Sequence, residues 1–558
     1  MSDQKKNYRY QAFCVIEAQS PIQIGSGEKA LTVSNSLLKD AFGFYYIPAT
    51  SLTGVLRHLF WEKDEGLEES EDLKSIFGHQ EMQKDKGQGS RLILSSAHLL
   101  LNGKKIADGL SAVDLIEVDE QLKGTGSGFE HIQPVRREHV RINHRGVADK
   151  DLKGKFESEL LPKGCRFAFE IELVGTAEDA KNWEAILSLL HHPLFRLGGG
   201  SRKGFGRFKV EQLITRSLDL SQEEDLQMYL AKSSQLAYRE AGQNKYAAFK
   251  PSSKSEQAFK HYRLSLSAED FMLFGGDFNV ELAEKALEKA RAEKAKKKQD
   301  EKKSDEKSLS LTSALADFTP KTEKVIYWDG GEMATTDCYL MPASSIKGAI
   351  AHRFVYHLNK LLGIYVDQQE VDHAEVERKL ADYEQQLAAL ENYQAEPLEA
   401  INEGLKKLEK LEKELVKLTE GLQNMGNAET VELQKTALFG QALDSKAAKG
   451  QRGRILFEDI YLAKDTSAKK IFNHVAIDRF TAGALDQALY SEEVLQPRES
   501  MTLNIYVEQK AFEAVEENQV QQALEASLKD LCEGRLPLGG GVMRGHGRMK
   551  GEIQTTEA

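Results

Sequence analysis

The 558-residue chain is poor in cysteine, proline and tryptophan, with 4, 11 and 3 of them. Cys14, Cys165, Cys338 and Cys532 are scattered, which excludes a close-spaced zinc site and a disulfide framework. No run of about 18 apolar residues occurs, the length a helix needs to cross a bilayer. The opening MSDQKKNYRYQAF lacks the apolar core of a secretory signal, so a soluble, cytoplasmic protein with no membrane partner is expected. Positive charge is in deficit, with 75 Lys and Arg against 87 Asp and Glu, a net charge of −12. A uniformly cationic coat is thereby excluded, whereas a local basic groove beside acidic segments is not. Also missing is the Gly-Lys-Ser/Thr ending of a phosphate loop. Two glycine-rich stretches, LGGGSRKGFGRFKV (Leu197–Val210) and LGGGVMRGHGRMKG (Leu538–Gly551), lead into strand-like runs instead of helices. Without a helix end to face the phosphates, the nucleotide-cradle reading fails.

What the chain does have is an internal repeat, and at this length more than one core is expected. YYIPATSLTGVLRHLF (Tyr45–Phe60) matches YLMPASSIKGAIAHRF (Tyr339–Phe354) without a gap. SIFGHQ and KGQGSRLILSSAHLL match ALFGQA and KGQRGRILFEDIYLA, and EHVRINHRGVAD matches NHVAIDRFTAGA. The glycine-rich loops close the series, so the chain is two copies of one module. Residues 1–217 form the first domain, 218–260 a polar connector, and 261–558 the second domain. Alternating runs such as YQAFCVIEAQ and RFAFEIELVG predict strands, and SLTGVLRHLFWEK and SIKGAIAHRFVYHLNKLL predict helices that open after a proline turn. A second helix precedes each glycine loop. The pattern predicts an α+β fold with two tandem ferredoxin-like units. The second copy carries two insertions. One, about 279–310, is Lys- and Glu-rich, and its Lys296–Lys298 cluster reads as a solvated helix face or as an RNA contact. The other, about 367–432, has Leu at three- and four-residue steps on both sides of Pro397, which predicts a helical hairpin, either an arm on a partner or a decoration closed on itself.

Glycine permits close approach of backbone N–H groups to an anion. Arg202 and Lys203 add charge in the first loop, beside Gly199 and Gly200, and Arg544 does so in the second, beside Gly540 and Gly541. The turns PATSLTG and PASSIKG place Thr50, Ser51 and Thr53, and Ser344 and Ser345, at helix starts that suit a phosphate oxygen. Each feature also has a structural reading, as a tight bend or an N-cap. Repeated in tandem, they fit a groove that tracks a long anion better than a small-ligand pocket. Arg202 of the first loop is Met543 in the second, so the second grip is expected to be weaker.

These residues, in the order PIQIGSGE, LLKD, YIPATSLTGVLR, SRLILSSAHL, EHVRIN and LGGGSRKGFGRFKV, resemble the CRISPR-associated RAMP superfamily. The likeness is nearest to a fused, double backbone subunit of type III effector complexes. It covers most of both copies but neither insertion nor the connector. The resemblance implies RNA-recognition-motif-like RAMP domains in antiviral defence, lined along a guide RNA, with target RNA and other CRISPR effector subunits as partners. It places Ser51, Thr53, Arg57, Ser345, Lys347, Gly199, Gly200, Arg202, Gly540 and Arg544 at guide phosphates. It also implies a thumb, placed here in the stretch Leu101–Arg137 and reduced or differently built in the second copy.

Cleaving relatives carry an Asp upstream of a basic-Asp pair. The pair here is Lys39-Asp40 in the first copy and Trp328-Asp329 in the second, and counting back six residues gives Ser34 and Glu323. Ser34 has no carboxylate, so no cleavage is expected of the first copy. Glu323, with Asp329 and Asp40 as further candidates, leaves an RNA-guided endoribonuclease open for the second. A divalent Mg or Mn ion enters only with that activity, and no tightly bound cofactor is expected. The other readings are an architectural RNA-binding scaffold and a guide-processing endoribonuclease built on the aligned pairs His58/His352 and His139/His474.

Overall fold

A computed structural model of the chain describes residues 6–27, 36–63, 70–81, 86–108, 123–124, 126–140, 155–251, 259–275, 316–364, 373–391, 398–441, 450–512 and 518–557. Ser34, the Lys296–Lys298 cluster with the whole 279–310 insertion, and the middle of the expected first thumb lie outside the described residues.

The first copy runs β1 (Tyr8–Ala18), β2 (Tyr46–Ile47), α1 (Ala49–Lys63), α2 (Glu71–Phe77), β3 (Leu92–Leu94) and β4 (Ala97–Leu99). It continues through β5 (Val135–Val140), β6 (Lys155–Leu160), β7 (Arg166–Gly175), α3 (Ala180–Leu189) and β8 (Phe208–Asp219). Its sheet is antiparallel, in the order β8–β1–β7–β4–β2, with β3 also on β7. The connector supplies α4 (Glu223–Leu230) and β9 (Ala247–Ala248), which pairs with β8.

The second copy repeats the plan as β10 (Phe259–Ala268), β11 (Thr322–Asp329), β12 (Glu332–Met341), α5 (Ala343–Leu361), α6 (His373–Glu391) and α7 (Leu398–Phe439). Then follow β13 (Ile455–Phe457), β14 (Ile460–Ala463), β15 (Ser467–Ile477), β16 (Ala484–Pro497), β17 (Met501–Glu508), α8 (Asn518–Cys532) and β18 (Met549–Glu557). Its main sheet has the order β13–β17–β10–β18, which corresponds strand for strand to β3–β7–β1–β8. The duplication therefore holds at the level of strand pairing.

Each sheet buries one face against two helices. In α5, Ile346, Ile350, Phe354 and Leu358 recur every fourth residue and are fully buried, as the 3.6-residue period requires of a core-facing stripe. Leu52, Leu56 and Leu59, at four- and three-residue steps, form the matching buried stripe in α1, with Trp183, Ile186 and Leu187 from α3 in the same core. Both first helices start after a proline, and each first N–H is satisfied by a side chain: Ala49 by Ser96 Oγ at 3.3 Å, and Ala343 by Asp459 Oδ1 at 2.7 Å. All four cysteines are buried and unpaired with one another. Among the described residues no helix is long and apolar enough to cross a membrane.

The helix α6 packs on α7, with Lys379 Nζ 2.9 Å from Glu414 Oε2. Sequence reading ends the hairpin near Glu432, but α7 runs unbroken to Phe439, and its last turns bury Val431, Leu438 and Phe439 in the second core. Nothing between Thr430 and Phe439 breaks a helix; the first breaker is Gly440, at φ +81°.

The two copies pack directly on one another. Strand β11 of the second lies on the turn before β7 of the first: Ile326 N–H donates to Lys163 O at 2.9 Å, and Trp328 Nε1 to Gly164 O at 2.9 Å. Gly164 sits at φ +95°, and a Cβ on it would stand 2.0 Å from Ile326 O. Gly164→Ala is therefore expected to strain the backbone and part the copies, at a cost above about 1 kcal/mol. Calorimetry should show a larger fall in Tm than for Gly103→Ala, where the φ is also positive but the space is open. Equal falls would contradict the close approach.

Candidate nucleic-acid interface

The first glycine loop folds as a single 3-10 turn, Ser201–Lys203, between Gly200 and Gly204 in the left-handed region. Gly204 brings its backbone against the second copy: a Cβ there would stand 2.6 Å from Ala343 Cβ, the first residue of α5. The loop of one copy thus meets the helix start of the other, where Ser344, Ser345 and Lys347 lie. Arg202 Nη2 stands 2.8 Å from Glu508 Oε1. Arg207 pairs with Glu458 and lies 5.7 Å over the Tyr506 ring. Lys347 Nζ donates to Phe439 O at 2.6 Å.

Cations are in excess at this seam. Burial, then the neighbouring Arg202 and Lys203, push the Lys347 ammonium down to about 8. Burial, then Lys203, Arg137 and Lys321, lower His139 to about 4. Burial holds Arg196 near 10, with Arg207 and Arg202 adding to its depression against Glu458. Arg196 is buried, and its Nε and Nη1 find no hydrogen-bond partner among the described residues. After burial, neighbouring cations are thus the next cause of the lowered Lys347 and His139, although the chain as a whole is acidic. A bound anion would offset those cations.

The glycine backbones contribute less than their composition suggests. Gly199 N–H donates to Gln23 O at 2.8 Å and Gly540 N–H to Leu273 O at 2.6 Å, so both are used in fixing the loops. At the helix starts, Thr53 Oγ1 donates to Ala49 O at 2.9 Å and Arg57 Nη1 to Gly78 O at 2.6 Å. Thr50 and Ser345 stay exposed, while Ser51 and Ser344 are half-buried. The charge of the seam is carried by side chains.

The second loop repeats the turn at Val542–Arg544, between Gly541 and Gly545. Its cation is engaged inside its own copy. Arg544 pairs with the buried Glu492 on β16 and donates to Tyr490 Oη at 3.0 Å. His474 Nε2 and His546 Nε2 stand 2.8 and 3.2 Å from Glu492 Oε1. Burial opposes the Glu492 charge, but the two histidine hydrogen bonds and Arg544 outweigh it and hold the carboxyl below its usual range. The same contacts tie the loop to the β15–β16 hairpin. That hairpin, with strands of 11 and 14 residues, is not a reduced protrusion and agrees with the other alternative, a second copy built differently here. It arises from residues 467–497, and its first-copy counterpart is β5–β6.

The candidate acidic residues do not converge. Glu323 is on strand β11, not in a loop, and is 4 % exposed. Arg137 Nε and Nη2 stand 2.7 and 2.8 Å from its two oxygens, and Tyr461 Oη donates at 2.7 Å. Arg137 Nη1 also reaches Asp459 Oδ2 at 2.8 Å. Burial disfavours the Arg137 charge, but Asp459, Tyr461 and Glu323 outweigh it and raise its pKa. Both Glu323 oxygens accept from Arg137 and so join the copies, which gives this carboxylate a structural role. Asp40 Oδ1 accepts from Phe42 N and Phe44 N at 2.9 Å each and so closes a turn. Asp329 is exposed at the Gly330–Gly331 bend. Among the described residues no group of three His, Cys, Asp or Glu side chains could hold a metal ion. The aligned histidines have unlike surroundings: His58 Nε2 lies 2.9 Å from Arg452 Nη1, whereas His352 is exposed beside Lys435. Sequence reasoning missed Arg137, Arg196, Glu458, Asp459, Tyr461 and Glu508, because their roles exist only across the seam.

A family model matches the chain twice, over residues 15–209 and 334–550, and it describes the RAMP superfamily. No curated protein matches. The two matched stretches hold the two glycine loops and the two proline-started helices, as the repeat and the paired sheets require. Two RAMP modules in one chain, set loop to helix, make this protein a member of the RAMP superfamily.

Proposed function

We propose that the chain is a guide-RNA-binding backbone subunit of a type III CRISPR antiviral effector complex. Family membership supports a CRISPR-associated, RNA-binding role. The strand order β8–β1–β7–β3, repeated as β18–β10–β17–β13 with two helices on one face, supports a ferredoxin-like, RNA-recognition-motif-like unit in each copy. One observation carries the reading: the first glycine loop meets the start of α5 across the seam, where burial first, and then Arg202 and Lys203 of the other copy, depress Lys347. A phosphodiester backbone is the anion that satisfies such a site in a chain built to repeat it. Target RNA pairs with the guide, and other effector subunits complete the complex. The chain serves as scaffold rather than nuclease, because Glu323 is a structural carboxylate.

Three outcomes follow from these contacts. Lys203→Ala/Lys347→Ala should weaken binding of single-stranded RNA and lower the slope of log affinity against log salt by about 1.4, at ~0.7 per lost phosphate contact. An unchanged slope in filter binding, with the fold intact by circular dichroism, contradicts the site. Because Lys347 is depressed in the free protein and a phosphate would raise it, binding takes up protons. Affinity should therefore fall as pH rises from about 8 towards 10, and Lys347→Met should flatten that profile. Glu323→Gln should act on stability, costing about 3–5 kcal/mol by leaving Arg137 short of a partner. Cleavage lost from a reconstituted complex with Tm and RNA binding unchanged would instead make Glu323 a nuclease residue.

A further inference from the structure

The internal junction shows how one module docks on the next, and each outer end of the chain can be compared with it. On the second copy, the face of β17 turned away from the helices carries Asn504, Tyr506 and Glu508. The first copy covers it, with Arg202 on Glu508 and Arg207 on Glu458. The matching face of the first copy is that of Glu170, Glu172 and Val174 on β7, since Phe167 pairs with Ile16 as Met501 pairs with Leu266.

The connector lies on that face. Lys232 Nζ stands 3.0 Å from Glu170 and 3.4 Å from Glu172, and Arg239 Nη2 stands 2.7 Å from Glu170. Tyr229 Oη donates to Glu172 at 2.8 Å, and Leu236 and Tyr246 close over Phe13 and Val15 of β1. Two connector cations thus occupy the face that two cations of the first copy occupy on the second. The sequences agree with this difference. Phe13 and Val15 need a cover, whereas Arg263 and Ser265 at the same places in β10 are exposed and polar. Only the rim stays bare, at Ile93, which holds the position of the buried Leu456 and is 55 % exposed.

At the opposite end no described residue covers the second glycine loop as α5 covers the first. Gly545 matches Gly204, but no described atom lies within 4 Å of where its Cβ would stand. Met543, in the place of Arg202, is 98 % exposed. Phe472 stands where Arg137 does, and Arg498 where Gly164 does, so of the junction's cations Arg202 and Arg137 have no counterpart here, while Arg207 keeps one in Arg548.

We propose that residues 229–246 are a built-in cap, so that the chain has one closed end and one docking end. The docking end, centred on Met543, receives one RAMP-type module of a different chain, whose sheet face is uncapped and bears an uncharged side chain where Glu508 stands. A second copy of this chain is refused, because its matching face is already filled. The inference rests on the duplication and not on RNA binding, so it can fail without that reading and the reverse.

Sedimentation of the full chain without RNA tests it. The wild type should remain a single chain at every concentration. Replacing residues 229–246 by a Gly/Ser linker of equal length should produce head-to-tail association, which Met543→Glu in the same background abolishes. A wild-type chain that associates and is separated by Met543→Glu overturns the cap, as does a folded, uncapped chain that stays single. If the linker variant does not fold, Lys232→Glu/Arg239→Glu repels the cap from Glu170 while keeping its apolar residues, and the same two outcomes decide.

Discussion

The arrangement depends on one buried charge cluster, in which Arg137 of the first copy is held by Glu323 and Asp459 of the second with Tyr461 closing it. Isolated charges at this depth would be prohibitive, and a pair survives only where geometry and hydrogen bonds are nearly complete. The cluster therefore tolerates little relative motion of the copies. It fixes β11 on the turn before β7, and with it the distance from the first glycine loop to the start of α5. Without that constraint, Arg202, Lys203 and Lys347 would spread apart, as like charges do in water.

The seam thus gathers cations from both copies, and Arg202 is balanced across it by Glu508. Burial, with neighbouring cations adding to it, lowers the pKa of Lys347 and of His139. The second loop solves the same problem differently, because Glu492 neutralises Arg544 within its own copy. The two grips consequently differ in more than the replacement of Arg202 by Met543. One is a charged site between modules, and the other a loop tied to its own hairpin with an apolar tip.

Much of this was legible in the sequence. The gap-free match at Tyr45–Phe60 and Tyr339–Phe354 reflects helices with the same buried stripe, and the glycine pattern reflects the same four left-handed positions in each loop. The misreadings have physical causes. Glu323 reads as a nuclease candidate from its spacing to Asp329, but its partner Arg137 lies 186 residues away, and no local pattern announces such a pair. Gly199 and Gly540 suggested anion-facing backbone, yet their N–H groups are used to fix the loops, a competition that composition does not reveal. ALDQALYSEEVLQP does not announce the second hairpin, because it mixes polar and apolar residues along a two-stranded ribbon that meets the core near its end, at Val494 and Leu495.

The central claim is that RNA is gripped at the seam between the copies. Ultraviolet cross-linking of bound guide RNA to the intact protein, followed by peptide mapping, tests it most directly. The account predicts cross-links on the peptides holding Arg202–Lys203 and Ser344–Lys347 together, one from each copy, with fewer on Met543–Arg544. Cross-links confined to one copy, or concentrated on the second loop, would contradict it.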